Sequence, residues 1–95
     1  MEAIVLNIKN DQDISFNGQL AAQAYDSSKG IVITVYDTEK GHWLIALTDG
    51  KDVLIKHTVI EHKDDDKLVN ALGFSPATKS IFEQLNIDTT KKLDV

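Results

Sequence analysis

The chain predicts an α+β fold: an antiparallel β-meander of about five to six strands followed by two C-terminal helices packed on one face. Three observations carry that prediction. Short apolar runs recur between residues 3 and 61 with the period of two that a strand imposes. The gaps between them hold glycine or Asn/Asp-rich turns. Beyond residue 63 the period lengthens, and an acidic cap and a proline announce helices.

The elements follow in order. Ile4, Leu6 and Ile8 share one side of a first strand, and Asn10-Asp11-Gln12-Asp13 turns the chain. Alternation resumes at Ile14 and Phe16 and meets Asn17-Gly18. That pair reads either as a two-residue hairpin turn or as a glycine bulge in one strand from Ile14 to Tyr25. The shared parity of Ile14, Phe16, Gly18 and Leu20 favours the bulge. Strands over Ile31–Asp37, His42–Thr48 and Lys51 to about Glu61 are separated by Ser27-Ser28-Lys29-Gly30, Thr38-Glu39-Lys40-Gly41 and Asp49-Gly50. Asp64-Asp65-Asp66 supplies acceptors and negative charge to the start of a helix over about 65–72, which Gly73 stops. Ser75-Pro76 opens a second, over about 76–86, with Ile81, Phe82 and Leu85 as its stripe. A polar tail runs over 88–95.

Asp49-Gly50 is the clearest hairpin signal. A type I′ turn there pairs Ala46 with Val53, Leu44 with Ile55 and His42 with His57. Both faces of the resulting sheet then carry large apolar side chains. Five strands make a sheet roughly 24 Å wide, and two helices each about 10 Å across blanket only one such face. The second face needs a cover: a second copy, another protein, or the sheet curling onto itself as a partial barrel. Two-fold self-association is the commonest of these. The expectation is therefore a homodimer, with Tyr36, Trp43, Ile45, Leu47 and Leu54 as the docking surface.

Composition narrows the function classes. Ninety-five residues make one domain over 1–95, with 42% hydrophobic and 26% charged residues, ordinary for a globular protein. No run of about 18 apolar residues predicts a membrane span, and the first residues do not read as a signal peptide. The absence of cysteine excludes disulfides and thiolate metal sites, and a cytoplasmic location is the default expectation. Net charge is −5 and every basic residue is Lys, so nucleic-acid binding is not expected. The same acidity leaves open an acidic inhibitor or nucleic-acid mimic.

Chemistry-bearing residues are few. In the register above, His42 and His57 are cross-strand neighbours, and Asp37 joins their row if Glu39-Lys40 is a two-residue turn. A His-His-Asp set suits Zn²⁺ or Fe²⁺, and His57 beside Asp37 or Glu61 suits acid–base catalysis. The plainer reading is polar residues at a sheet rim, and no metal or cofactor is assigned. No nucleophile elbow, phosphate loop or oxyanion device is present. Tyr25, Tyr36 and Trp43 lack the interleaved basic residues of an RNA-binding sheet. The balance favours a non-enzymatic protein-interaction module over a small-ligand or metal-dependent enzyme.

Some segments resemble a known family. Phe16-Asn17-Gly18-Gln19-Leu20, Val35-Tyr36-Asp37-Thr38-Glu39-Lys40-Gly41 and Leu93-Asp94-Val95 resemble parts of the EXLDI family of small bacterial proteins. Lys91 stands where that signature has Glu, and Val95 where it has Ile. The resemblance implies a bacterial source. It implies no activity, cofactor or site residue, because the family has no established function.

Overall fold

The computed structural model describes residues 1–90 and Leu93. Five strands form one antiparallel sheet in chain order: β1 (Glu2–Leu6), β2 (Ile14–Asp26), β3 (Ile31–Thr38), β4 (Trp43–Thr48) and β5 (Leu54–Ile60). A 3₁₀ turn at Glu61–Lys63 leads into α1 (Asp65–Leu72) and α2 (Pro76–Gln84). The α+β meander with two C-terminal helices is thus the observed architecture. Of the segments that resemble the EXLDI signature, Lys91, Asp94 and Val95 lie outside the described residues.

β2 organises the sheet. It is one strand of 13 residues, so Asn17-Gly18 is no hairpin. Gly18 pairs regularly with both Glu2 and Thr38, and the bulge falls after Leu20, where Ala22 takes the place opposite Val35. Glycine at position 18 answers a close approach: a Cβ there would lie 2.5 Å from the Asp37 carbonyl oxygen and 3.0 Å from the Phe16 ring. The extra residue inverts parity. Ile14 and Phe16 face one side of the sheet before it, and Ala22 and Ala24 face the other side after it.

Both sides of the sheet are covered, by different devices. On one, Leu68 of α1 and Ala77, Ile81 and Phe82 of α2 pack on Ala22, Ile33, Val35, Trp43, Ile45 and Ile60. Phe82, Leu68 and Ile81 are essentially inaccessible, and burial of each such side chain stabilises by about 1.5–3 kcal/mol. The small Ala22 and Ala24 lie where α2 crosses β2. On the other side the sheet curls. Leu6, Leu44, Ala46 and Leu54 form a second core with Ile4, Ile14, Phe16 and Tyr36 packed against it. The Leu54 N–H donates to the Asn7 carbonyl at 2.8 Å, and Asn7 bridges to Val53, so the first and last strands touch at one end. The result is a split half-barrel.

The turn after β4 is not the two-residue hairpin that Asp49-Gly50 suggests. The Asp49 carboxylate accepts from the backbone N–H of Lys51 (2.8 Å) and Val53 (3.0 Å), and its own N–H donates to the Val53 carbonyl. Those bonds hold a wider loop in which Asp52, not Gly50, takes positive φ (62°). The register moves accordingly. Ala46 pairs with His57, Leu44 with Val59 and Trp43 with Ile60, with a bulge between Leu47 and Thr48. This brings Ile60 under the helices and Leu54 into the second core.

The helix ends follow their capping residues. Asp64 accepts from the Lys67 N–H at 3.1 Å, and Gly73 closes α1 with φ 67°. Ser75 and Thr78 form a reciprocal capping box with Pro76 at the first turn of α2. α2 stops at Gln84, two residues short of the expected end, because Asn86 turns left-handed (φ 59°) and the Ile87 N–H returns to the Phe82 carbonyl.

Candidate functional site

The side chains expected on a docking face are taken up within the single chain, and not on one face. Trp43 and Ile45 are buried beneath the helices, with Leu47 packed at the margin of that core. Tyr36 and Leu54 belong to the opposite face, inside the curl. Curling, the third of the covers considered above, shelters the face that the helices leave open.

The observed register also separates the histidines. His57 stands opposite Ala46, not His42. Asp37 pairs with Trp43 on the helix-covered side and accepts from the Trp43 indole N–H (3.2 Å) and the Lys63 ammonium (3.1 Å). His42 instead meets His62: their ring centroids are 5.3 Å apart, and His42 Nδ1 accepts from the His62 backbone N–H at 2.9 Å. That bond leaves Nε2 as the hydrogen-bearing nitrogen of a neutral His42 ring. It also holds a turn in which His62 and Lys63 both have positive φ. Among the described residues no group of three His, Asp or Glu side chains is placed to hold a metal ion.

Two concavities open on the inner side of the curl. At the open mouth, Phe16, Leu44 and Val59 floor an apolar groove of about 340 Å³ rimmed by Glu39, Lys40 and His42. Toward the closed end, a cleft of about 190 Å³ holds Gln23, Thr34, Tyr36, Thr48 and Asp52. Gln23 Nε2 donates to Thr34 Oγ1 at 2.9 Å. Burial raises the Tyr36 phenol above its ordinary value and the Asp52 carboxylate adds to the effect, so the hydroxyl stays a proton donor. Neither concavity pairs a nucleophile with a base.

The feature that stands out chemically is a sheet edge. β5 is the last strand of the sheet and has β4 on one side only. The Thr38 N–H donates to the His42 carbonyl, which turns the backbone groups of His42, Leu44 and Ala46 toward β3. By alternation Trp43, Ile45 and Leu47 bond to β5, through Ile60, Thr58 and Lys56. The N–H and C=O groups of His57 and Val59 therefore point away from the sheet, whereas the bulge at Ile55 turns its N–H back toward Leu47 and leaves the Leu54 N–H pointing outward to Asn7. Ile55 is 58% exposed and Val59 50%.

The other long edge is managed differently. Beyond Gly18, β2 has no partner on its outer side, and there the Gln84 amide closes on Gln23: Oε1 accepts from its N–H (3.0 Å) and Nε2 donates to its carbonyl (2.9 Å). A side chain thus occupies the place of a neighbouring strand at the middle of that edge. On β5 the Asn7 contact covers only the Leu54 end, and no such device covers His57 and Val59 among the described residues. The sequence held one usable signal for this edge, since the last strand of a meander has a single neighbour. Placing Ile55 opposite Leu44 concealed its exposure.

No helix among the described residues is long and apolar enough to cross a membrane. Comparison with protein-family models, curated proteins and solved structures found no match.

Proposed function

We propose that this chain is a non-enzymatic protein-interaction module that self-associates by strand addition at the outer edge of β5. The observation that carries the reading is the coincidence of two unmet needs on one strand. His57 and Val59 offer outward backbone donors and acceptors, and Ile55 and Val59 leave half or more of their surface in water. An added strand answers both, with main-chain bonds giving affinity and alternate side chains giving specificity. β5 carries no proline, and its edge defences are limited to Lys56 and the bulge at Ile55, which leave His57 and Val59 open.

Size-exclusion chromatography with light scattering tests this. The wild-type chain is expected near twice the 10.5 kDa of one copy at high concentration. Ile55→Lys combined with Val59→Lys should return it to one copy with an unchanged circular-dichroism spectrum. A wild-type chain that stays at one copy at millimolar concentration defeats the reading.

A further inference from the structure

The cleft at the closed end of the curl gathers polar groups that the fold leaves unused. Gln23 donates its Nε2 to Thr34, and its Oε1 has no partner among the described residues. The Tyr36 phenol, the Thr48 hydroxyl and the Asp52 carboxylate line the same cleft, and none of them makes a side-chain hydrogen bond among the described residues. No fully buried side-chain oxygen or nitrogen lacks a partner there, so the Tyr36 and Thr48 hydroxyls open into the cleft. Buried Leu6 and Leu54 form its apolar wall. Its 190 Å³ equals the share of about six waters in the liquid. Asp52 stands exposed at the rim and is the one charged residue of the lining. No ammonium lies within 4 Å of it among the described residues.

We infer that this cleft is a binding site for a small organic amine that also carries a hydroxyl or carbonyl oxygen. Asp52 takes the ammonium as a charge-assisted partner, with Gln23 Oε1 as a second acceptor. The Tyr36 hydroxyl donates to the oxygen of the ligand, because burial and the Asp52 charge keep the phenol protonated. A carboxylate or phosphate ligand would meet one negative charge and no positive one, so the lining selects against anions. The site is preformed. Gln23, Thr34, Tyr36 and Thr48 stand on paired strands, and the Asp49 carboxylate bonds fix the loop that carries Asp52. It lies inside the curl and uses nothing of the outer edge of β5, so it stands apart from self-association. An apolar wall with a few convergent polar groups is the usual make-up of a small-molecule site.

Ethanolamine titrated into the full chain at constant ionic strength, followed by amide NMR spectra, tests the assignment. Ethylene glycol is its uncharged counterpart and acetate the anionic control. Ethanolamine should give saturable shifts around Thr34, Tyr36, Thr48 and Asp52 with a millimolar dissociation constant, and the two controls should not. Asparagine tolerates the left-handed backbone at position 52 (φ 62°), so Asp52→Asn should keep the circular-dichroism spectrum. It should weaken ethanolamine binding at least about tenfold. Tyr36→Phe should weaken it about two- to tenfold and remove the preference for ethanolamine over ethylamine, which a loss of packing alone would not do. Ethylene glycol that saturates as tightly as ethanolamine would reduce the cleft to a hydrated notch and overturn the proposal. So would an Asp52→Asn chain that binds ethanolamine unchanged, or a wild-type chain with no saturable shift.

Discussion

Trp43 distinguishes a side chain that docks a partner from one that holds the fold together. It is 6% exposed, lies beneath the helices beside Ile45 and Ile60, and donates its indole N–H to Asp37. Trp43→Ala empties a ring-sized space in that core and removes a donor from a carboxylate that also binds Lys63. Truncation of a buried aromatic costs about 3–5 kcal/mol. Small domains have roughly 5–15 kcal/mol in all. At about 4–8 °C per kcal/mol for a chain of this size, the midpoint should fall by roughly 12–40 °C. Trp43→Phe retains most of the apolar volume but loses the hydrogen bond, so about 1–2 kcal/mol and a fall of roughly 4–16 °C are expected. Thermal and urea unfolding followed by circular dichroism measure both. Trp43 is the only tryptophan, so its emission gives a second probe in the wild-type chain. A Trp43→Ala variant that melts with the wild type but no longer associates would refute this reasoning and return Trp43 to a docking surface.

Other consequences can be checked alongside. Gly18→Ala drives a methyl group into the Asp37 carbonyl and should destabilise by about 1–3 kcal/mol in urea titrations. Gly50→Ala, with open space around it and Asp52 holding the positive φ, should be neutral within about 0.5 kcal/mol; a large loss would restore the two-residue turn. Ser75→Ala removes the capping box of α2 and should cost about 1 kcal/mol.

The acid limb of the stability curve has identified contributors. The Ser28 hydroxyl and neighbouring backbone N–H groups hold the Asp26 carboxyl below its ordinary value. Backbone donors of Lys51 and Val53 do so for Asp49, and those of Thr90 for Asp88. Groups lowered by folding stabilise above the unfolded value, near 4, and that contribution disappears as the pH falls through the lower folded values. Asp26→Asn should therefore flatten the loss of stability below about pH 4, and an unchanged acid limb would remove Asp26 from the account.

Local chemistry made the fold legible, and long-range geometry hid the rest. The helices could be placed from Asp64, Gly73, Ser75 and Pro76 because caps act within a turn of the residue that supplies them. The strands could be placed from alternation for the same reason. Position 18 signalled a special glycine, but pairing alone cannot tell a bulge from a close approach, and the bulge sits three residues further on. The Asp49 carboxylate displaced the turn that its dipeptide favours. One shift in register then parted His42 from His57 and moved Leu54 to the other face. The apolar excess on the second face was visible in the sequence. Its solution by curling was not, because it depends on Leu6, Asn7 and Leu54 meeting across nearly fifty residues of chain.

Amide hydrogen exchange along β5, followed by NMR as the protein is concentrated, tests the central claim most directly. The account predicts that Lys56, Thr58 and Ile60 are protected at every concentration through their bonds to β4. His57 and Val59 should exchange freely when dilute and slow together as a second copy pairs with them. Outward amides that exchange at the same rate from micromolar to millimolar protein would contradict it.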